Sequence, residues 1–312
     1  MDELLKVDSL CKSYGSKQVV HDLSFGIRRG EILCLLGPNG AGKSTTINIL
    51  CGLLSYESGE IWFKGRKMEQ CLNSFKGRLG VVPQDLAIYE DLSAEKNVSF
   101  FASLYGLKGK ELADSVRKAL EFGGLWEKRR DKASTFSGGM KRRLNIACAI
   151  AHHPEILIMD EPTVGIDPQS RNHILSSIQT LKEQGMTILY TTHYMEEVEE
   201  ISDRILIMDD GNVIAEGTKE SLKEDFFHER QFILEVENAG QAALDEFYQI
   251  DGVGKVTVRD NRIIISSMKN VENLEQIIVM CSRQNLKIEN LYCRMATLEN
   301  VFLKLTGKSL RD

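Results

Sequence analysis

The stretch Glu31-Ile32-Leu33-Cys34-Leu35-Leu36-Gly37-Pro38-Asn39-Gly40-Ala41-Gly42-Lys43-Ser44-Thr45 is an unbroken apolar run that opens into a glycine-rich loop. Five apolar residues without polar alternation, set between Gly30 and Gly37, predict a strand buried on both faces. A helix is predicted from about Lys43 to Gly52. Residues Gly37 to Ser44 match the pattern G-x-x-x-x-G-K-[ST] in full, at the strand-to-helix junction that its chemistry needs. Glycines let backbone N–H groups come close to a phosphate, and a helix N-terminus adds a favourable dipole. Lys43 supplies a point charge to β- and γ-phosphates, and the Ser44 hydroxyl is suited to Mg²⁺; Thr45, next in the chain, is a further cofactor-binding candidate. This loop predicts nucleotide binding and leaves a GTPase, a small-molecule kinase and a helicase open.

Two segments further along narrow the choice. Ile156-Leu157-Ile158-Met159-Asp160-Glu161 is an apolar strand ending in two carboxylates. Ligands in parallel sheets bind beyond the carboxyl ends of strands, so both acids are expected to face the phosphate loop. Asp160 is expected to orient Mg²⁺ and Glu161 to polarise the attacking water. Phe136-Ser137-Gly138-Gly139-Met140 sits upstream, where Ser137 can cap a helix over 138–151 and two glycines open its first turn to a phosphate. With one phosphate loop in the chain, a second anion-binding helix start fits the nucleotide of another molecule.

Strands and helices alternate around these motifs. Helical spacing covers 94–122 apart from the break at Gly106–Gly109. A helix over 170–184 puts Ile174, Ile178 and Leu181 on one face, followed by strand 186–192, helix 195–201 and strand 205–208. This order predicts an α/β domain with a mainly parallel sheet. After a charged connector, Lys219 to Arg230, the order becomes strand (232–237), helix (240–248), hairpin (253–258 and 262–266), helix (271–284) and strand (286–291). That is the ferredoxin-like β-α-β-β-α-β succession, with a helical tail at 298–305.

Taken in order, the motifs resemble the ABC ATPase family over essentially residues 3–220. The resemblance implies an ABC-type P-loop NTPase, with a β-subdomain, a RecA-like core and a helical subdomain at about 85–150, in a domain spanning 1–220. A small α+β ferredoxin-like accessory domain would span 221–312. It also implies that Gln84, in Val81-Val82-Pro83-Gln84-Asp85, contacts Mg²⁺ and senses a membrane subunit, and that Tyr14 stacks on adenine. Asp167, in Val164-Gly165-Ile166-Asp167-Pro168, matches the loop coupling two sites of a dimer, and His193 matches the histidine contacting the γ-phosphate. Ser137, Gly138 and Gly139 match the segment that closes on ATP held by the other subunit. The family's usual Leu and Gln are Phe136 and Met140 here, a form similar to the drug-resistance exporter branch.

Residues 136–144, 162–168 and the tail 297–307 are similar to the ABC-2 type antibiotic-resistance group. Daunorubicin- and linearmycin-resistance ATP-binding proteins and sodium exporters belong to it. The implied cofactors are ATP and Mg²⁺. The implied assembly is an ATPase homodimer peripheral to the cytoplasmic face of the membrane, under two separate permease subunits. An exporter of sodium or polysaccharide, an importer with a regulatory C-terminal domain and a soluble ABC protein are the alternatives. Translation factors of the last kind show two motif sets per chain and DNA-repair relatives long heptad insertions, and this sequence has neither. Apolar residues over 85–107 suit docking of a permease helix and suit a helical-domain core equally.

Composition sets the outer limits. At 312 residues the length predicts about two domains, and 42% apolar with 27% charged residues is globular. A net charge of −6 gives no electrostatic reason to expect nucleic acid. The longest apolar run, Ile146 to Ala151, falls far short of the ~20 residues of a membrane helix, and Met-Asp-Glu is not a signal-peptide start. Seven cysteines without a CxxC pair predict reduced thiols in a cytosolic protein, with no disulfide frame or zinc site.

Overall fold

The computed structural model describes residues 3–226, 228–294 and 296–307. The chain divides after Lys219 into a larger unit and a smaller one, Glu220–Gly307. The larger unit opens with Glu3–Tyr14 (β1) and Lys17–Arg28 (β2), which pair antiparallel through several irregular steps. Ile32–Leu36 (β3), buried at all five positions, leads into Lys43–Leu50 (α1). Ser58–Phe63 (β4) pairs with β1, and Arg66–Lys67 (β5) lies beyond it. Leu5, Val7, Leu23, Phe25, Ile61 and Phe63 of this four-stranded sheet share one core with Leu33, Leu35, Ile47 and Ile158. In sequence the short strands β4 and β5 are obscured by Gly59 and Gly65.

Met68–Lys76 (α2) precedes Leu79–Val82 (β6). Three helices follow, Ala94–Leu104 (α3), Gly109–Phe122 (α4) and Gly138–Ile150 (α5). Ser93 caps α3 and Ser137 caps α5, each accepting from a first-turn amide. Helix α5 lies so close to β6 that a Cβ on Gly80 would fall 2.6 Å from the Ala149 carbonyl. Then come Ile156–Asp160 (β7), Pro168–Glu183 (α6), Thr187–Thr192 (β8), Met195–Ile201 (α7), Arg204–Asp209 (β9) and Asn212–Gly217 (β10). The six-stranded sheet runs β10-β9-β3-β8-β7-β6, parallel except for β10. Strands β3, β7 and β8 are buried throughout, as continuous apolar runs in a doubly covered sheet require.

The division falls at the start of Lys219–Phe226 (α8), where the charge of 219–230 predicts a connector. High charge misleads there, because Lys and Glu are good helix formers and the single buried Leu222 anchors the turn. Glu229–Val236 (β11) is followed by a broken helical stretch in place of the single helix expected over 240–248. A 3₁₀ turn at Ala239–Gln241 precedes a single α-turn, Leu244–Phe247 (α9). The Gln284 side chain accepts from the Ala243 amide at 2.9 Å and donates to its carbonyl at 3.2 Å, which holds that backbone out of a helix. Val253–Arg259 (β12), Arg262–Met268 (β13), Leu274–Arg283 (α10), Ile288–Arg294 (β14) and Leu298–Thr306 (α11) complete the unit. Its sheet, β12-β13-β11-β14, is antiparallel throughout, the ferredoxin-like order. Phe232, Leu234, Phe247, Ile263, Ile265, Ile277 and Cys281 form its core.

One buried histidine gives the larger unit a measurable acid response. His152 stacks on Tyr105 with ring centroids 3.5 Å apart, and its Nε2 lies 3.1 Å from the Leu79 carbonyl. Its buried Nδ1 has no partner, so a second proton would be a buried, unpaired charge. Burial accordingly pushes the imidazole down to about 4. The unfolded chain takes up this proton near pH 6.5, so the contribution is intact above that pH and is lost as pH falls towards 4. The urea midpoint of His152→Gln should therefore fall less than that of the native chain between pH 6.5 and 4. Parallel pH profiles would contradict the assignment.

Candidate active site

Strand register determines which residues meet. Leu36 pairs with Thr192, Thr191 with Asp160, and Met159 with Val82, so β3, β8, β7 and β6 end along one edge. The segments leaving that edge are Gly37–Gly42, His193, Glu161 onward and Pro83-Gln84. These are four of the stretches that the motifs single out, and they cluster as parallel-sheet ligand sites do, beyond the carboxyl ends of the strands.

The loop between β3 and α1 is shaped by its last glycine. Gly42 has φ of 97°, and a Cβ there would lie 2.8 Å from the Val19 carbonyl, so no other residue fits without strain. It stands at the N-cap of α1 without a side-chain cap, unlike Ser137 on α5. First-turn amides of a helix have no intrahelical acceptor, and here they are presented to an incoming anion. Thr46 ties the turn down by donating its hydroxyl to the Gly42 carbonyl at 2.9 Å. Asn39, Gly40 and Ser44 are exposed, Thr45 is half-buried, and Pro38 and Ala41 are buried.

Lys43 is buried beneath this loop, its ammonium donating to the Gly37 carbonyl at 2.8 Å and the Pro38 carbonyl at 3.1 Å. Burial pulls its proton affinity down, opposed by the charges of Glu161 and Asp160. Glu161 Oε1 lies 3.7 Å from the ammonium and Oε2 lies 3.2 Å from His193 Nδ1. One buried carboxylate therefore faces both the phosphate-loop cation and the imidazole. Glu161 itself has φ of 45°, an uncommon left-handed backbone for a residue with a side chain. Its amide donates to the Thr191 hydroxyl at 3.0 Å and to the Thr191 carbonyl at 3.2 Å. The same hydroxyl donates to Asp160 Oδ1 at 2.7 Å. Thr191 thus sends two adjacent carboxylates in different directions, a role that Thr191-Thr192-His193 does not disclose in sequence.

Gln84 is exposed just past β6, with its backbone fixed. Arg142 of α5 donates to the Pro83 carbonyl at 2.8 Å and the Gln84 carbonyl at 2.6 Å, linking this segment to the helix that starts at Ser137. Arg142 is buried although it lies in the basic run Lys141-Arg142-Arg143. Tyr14 ends β1 and is 53% exposed, with the Lys12 ammonium 5.6 Å from its ring centre. An exposed aromatic of this kind is available for stacking.

Ser137, Gly138, Gly139 and Asp167 form a separate group. A Cβ on Gly139 would meet Ser170 Oγ at 2.1 Å and Asp167 Oδ2 at 3.5 Å, so α5 and α6 start against each other. Asp167 caps α6 through the Ser170 amide at 2.9 Å, and Ser170 holds its carboxyl below the usual range. Among the described residues, no hydrogen bond or ion pair joins 137–139 to 37–45.

The donor set can be tested against a divalent cation. Ser44, Asp160 and Gln84 offer a hydroxyl, a carboxylate and an amide oxygen, the hard donors that Mg²⁺ takes. No group of three or more His, Cys, Asp or Glu able to hold a metal occurs among the described residues. The protein supplies few ligands, which suits an ion that arrives with a nucleotide and keeps waters and phosphate oxygens. Nor is any helix among the described residues long and apolar enough to cross a membrane.

Comparison with known proteins gives the same picture. The model of the family described as ABC transporter matches residues 20–164. The linearmycin resistance ATP-binding protein of Bacillus subtilis (strain 168) is 43% identical over 99% of this chain and 100% of its own. A Nod factor export ATP-binding protein of Paraburkholderia xenovorans (strain LB400) is 35% identical over 99% of this chain and 98% of its own. A solved ATP-binding subunit of an ABC transporter superposes with a TM-score of 0.65 at 31% identity, over 79% of this chain and 98% of that one. With the phosphate loop, the Asp160-Glu161 pair and His193 on one sheet edge, and relatives matched end to end, this chain belongs to the ABC transporter family as an ATP-binding, ATP-hydrolysing protein.

Proposed function

We propose that this chain is the ATPase of an ABC-2 type exporter conferring drug resistance, acting as a homodimer beneath two separate permease subunits on the cytoplasmic face of the membrane. The observation that carries the catalytic part is the Glu161 carboxylate held between Lys43 and His193, at 3.7 and 3.2 Å. Full-length similarity to a linearmycin resistance protein supports the drug-resistance part. Membrane-active cargo, polyene- or anthracycline-like, is favoured. Similarity to Nod factor export proteins supports export of a different cargo as the second reading.

In this mechanism, the loop amides and Lys43 bind the β- and γ-phosphates, and Tyr14 stacks on adenine. Ser44, Asp160 and Gln84 would hold Mg²⁺, which neutralises phosphate charge. Glu161 takes hydrogen-bonded hold of the attacking water, and His193 faces Glu161 through Nδ1, so that Nε2 is left to donate to the γ-phosphate when both ring nitrogens carry protons. Ser137, Gly138 and Gly139 of a second copy close over the nucleotide, with Asp167 coupling the two sites. Closure depends on the γ-phosphate, so ATP favours one state of a two-state element, and hydrolysis releases it. Leu86, Tyr89, Phe100, Leu104 and Tyr105 are exposed after the Gln84 segment and suit a permease helix.

Three variants test this. Glu161→Gln keeps the side chain's size but removes its charge; turnover should fall at least ~100-fold while Mg·ATP drives dimerisation. A mutant that stays monomeric at saturating ATP, by size exclusion with light scattering, would count heavily against it. Lys43→Ala should abolish nucleotide binding in an equilibrium titration, and unchanged ATP affinity would remove the phosphate-loop assignment. If 221–312 is an accessory domain, a chain ending at 220 should retain basal ATPase activity; a folded truncation unable to bind ATP would show that the domain completes the site.

A further inference from the structure

Glu197 is fully buried within the larger unit, with 0% of its surface exposed. In sequence it sits among Glu196, Glu199 and Glu200 and reads as one acid of a solvated helix. A carboxylate cannot stay charged in that environment unless donors surround it. Three hydroxyls do so. Thr163 donates to Oε1 at 2.5 Å, and Thr192 and Tyr190 donate to Oε2 at 2.7 and 2.9 Å. Arg171 Nε lies 3.7 Å from Oε1, and its guanidinium stacks over the Tyr194 ring. Burial and the neighbouring carboxylate push the Tyr190 phenol far up, which keeps it an O–H donor.

The positions of the donors give this cluster its meaning. Thr163 lies two residues beyond Glu161, in the turn where the Val164 amide donates to the Glu161 carbonyl at 3.3 Å. Thr192 precedes His193, and its hydroxyl also accepts from the Tyr194 amide at 3.0 Å, bracketing the histidine. Glu197 therefore grips the turn that carries Glu161 with one oxygen and the turn that carries His193 with the other. The two turns come from different strands, β7 and β8, and the side chains they present meet at 3.2 Å.

We propose that Glu197 is a positioning residue that clasps the Glu161 and His193 turns together through Thr163 and Thr192, holding the hydrolytic pair in register without touching the nucleotide. This rests on the assignment of Glu161 and His193 as that pair. A displacement of about 1 Å between such groups is enough to cost a large factor in turnover, while phosphate binding by the separate Gly37–Lys43 loop is spared.

The test is steady-state ATPase kinetics on the full chain carrying Thr163→Val or Thr192→Val, near-isosteric changes that each remove one arm. Each should lower kcat about ten-fold or more with KM for ATP within about two-fold of native, and Thr→Ser at either position should restore kcat. In a His193→Ala background, Thr192→Val should cause little further loss, because it acts through the histidine. Glu197→Asp, which keeps the charge but withdraws it from both threonines, should reproduce the kcat loss should a valine variant not fold. Native kcat in folded valine variants, a loss that serine does not restore, or full additivity with His193→Ala would overturn the clasp. Native kcat in His193→Ala alone would instead overturn the underlying pair, and the clasp with it.

Discussion

The Thr191 hydroxyl, accepting from the Glu161 amide and donating to Asp160, is the interaction on which the catalytic edge depends. Left-handed backbone costs a non-glycine residue roughly 1–2 kcal/mol. The bifurcated hydrogen bond from the one buried amide, about 1 kcal/mol in all, offsets much of it. The result is a strand that delivers Asp160 in line with the sheet and then turns so that Glu161 points towards Lys43 and His193. Without that turn, two adjacent acids at a strand end would point to opposite faces, as any strand pair does.

The parallel register carries the same constraint outward. Four loops converge because β3, β8, β7 and β6 are paired in step, and the pairing is enforced by strands buried on both faces. Arg142 then extends the edge to α5 by holding the Pro83 and Gln84 carbonyls. The Gln84 segment and the helix that begins at Ser137 are thereby tied together within one chain. In the proposed assembly this tie would link the 85–107 surface to a site completed by another copy.

Much of this was legible in the sequence, for identifiable reasons. Unpunctuated apolar runs such as Ile32–Leu36 and Ile156–Met159 declare buried parallel strands, and a glycine-rich turn followed by Lys-Ser declares an anion site. Strands such as Ser58–Phe63 were not legible, being short and broken by glycine, and the helix at Lys219–Phe226 was hidden by its charge. At the site, residues with distinctive chemistry were visible and those that orient them were not. Thr191, Thr163 and Glu197 belong to common residue types at common spacings, and only burial and hydrogen bonding separate them from an ordinary strand end or acidic helix.

ATP hydrolysis is proposed to occur at a site built from this chain's own phosphate loop and the Ser137-Gly138-Gly139 segment of a second copy. It is tested most directly by the ATPase rate per chain across protein concentrations at saturating Mg·ATP, with light scattering on the same samples. The rate per chain should rise with the fraction of dimer and vanish in its absence. An undiminished rate from a species that scatters as a monomer throughout would contradict it.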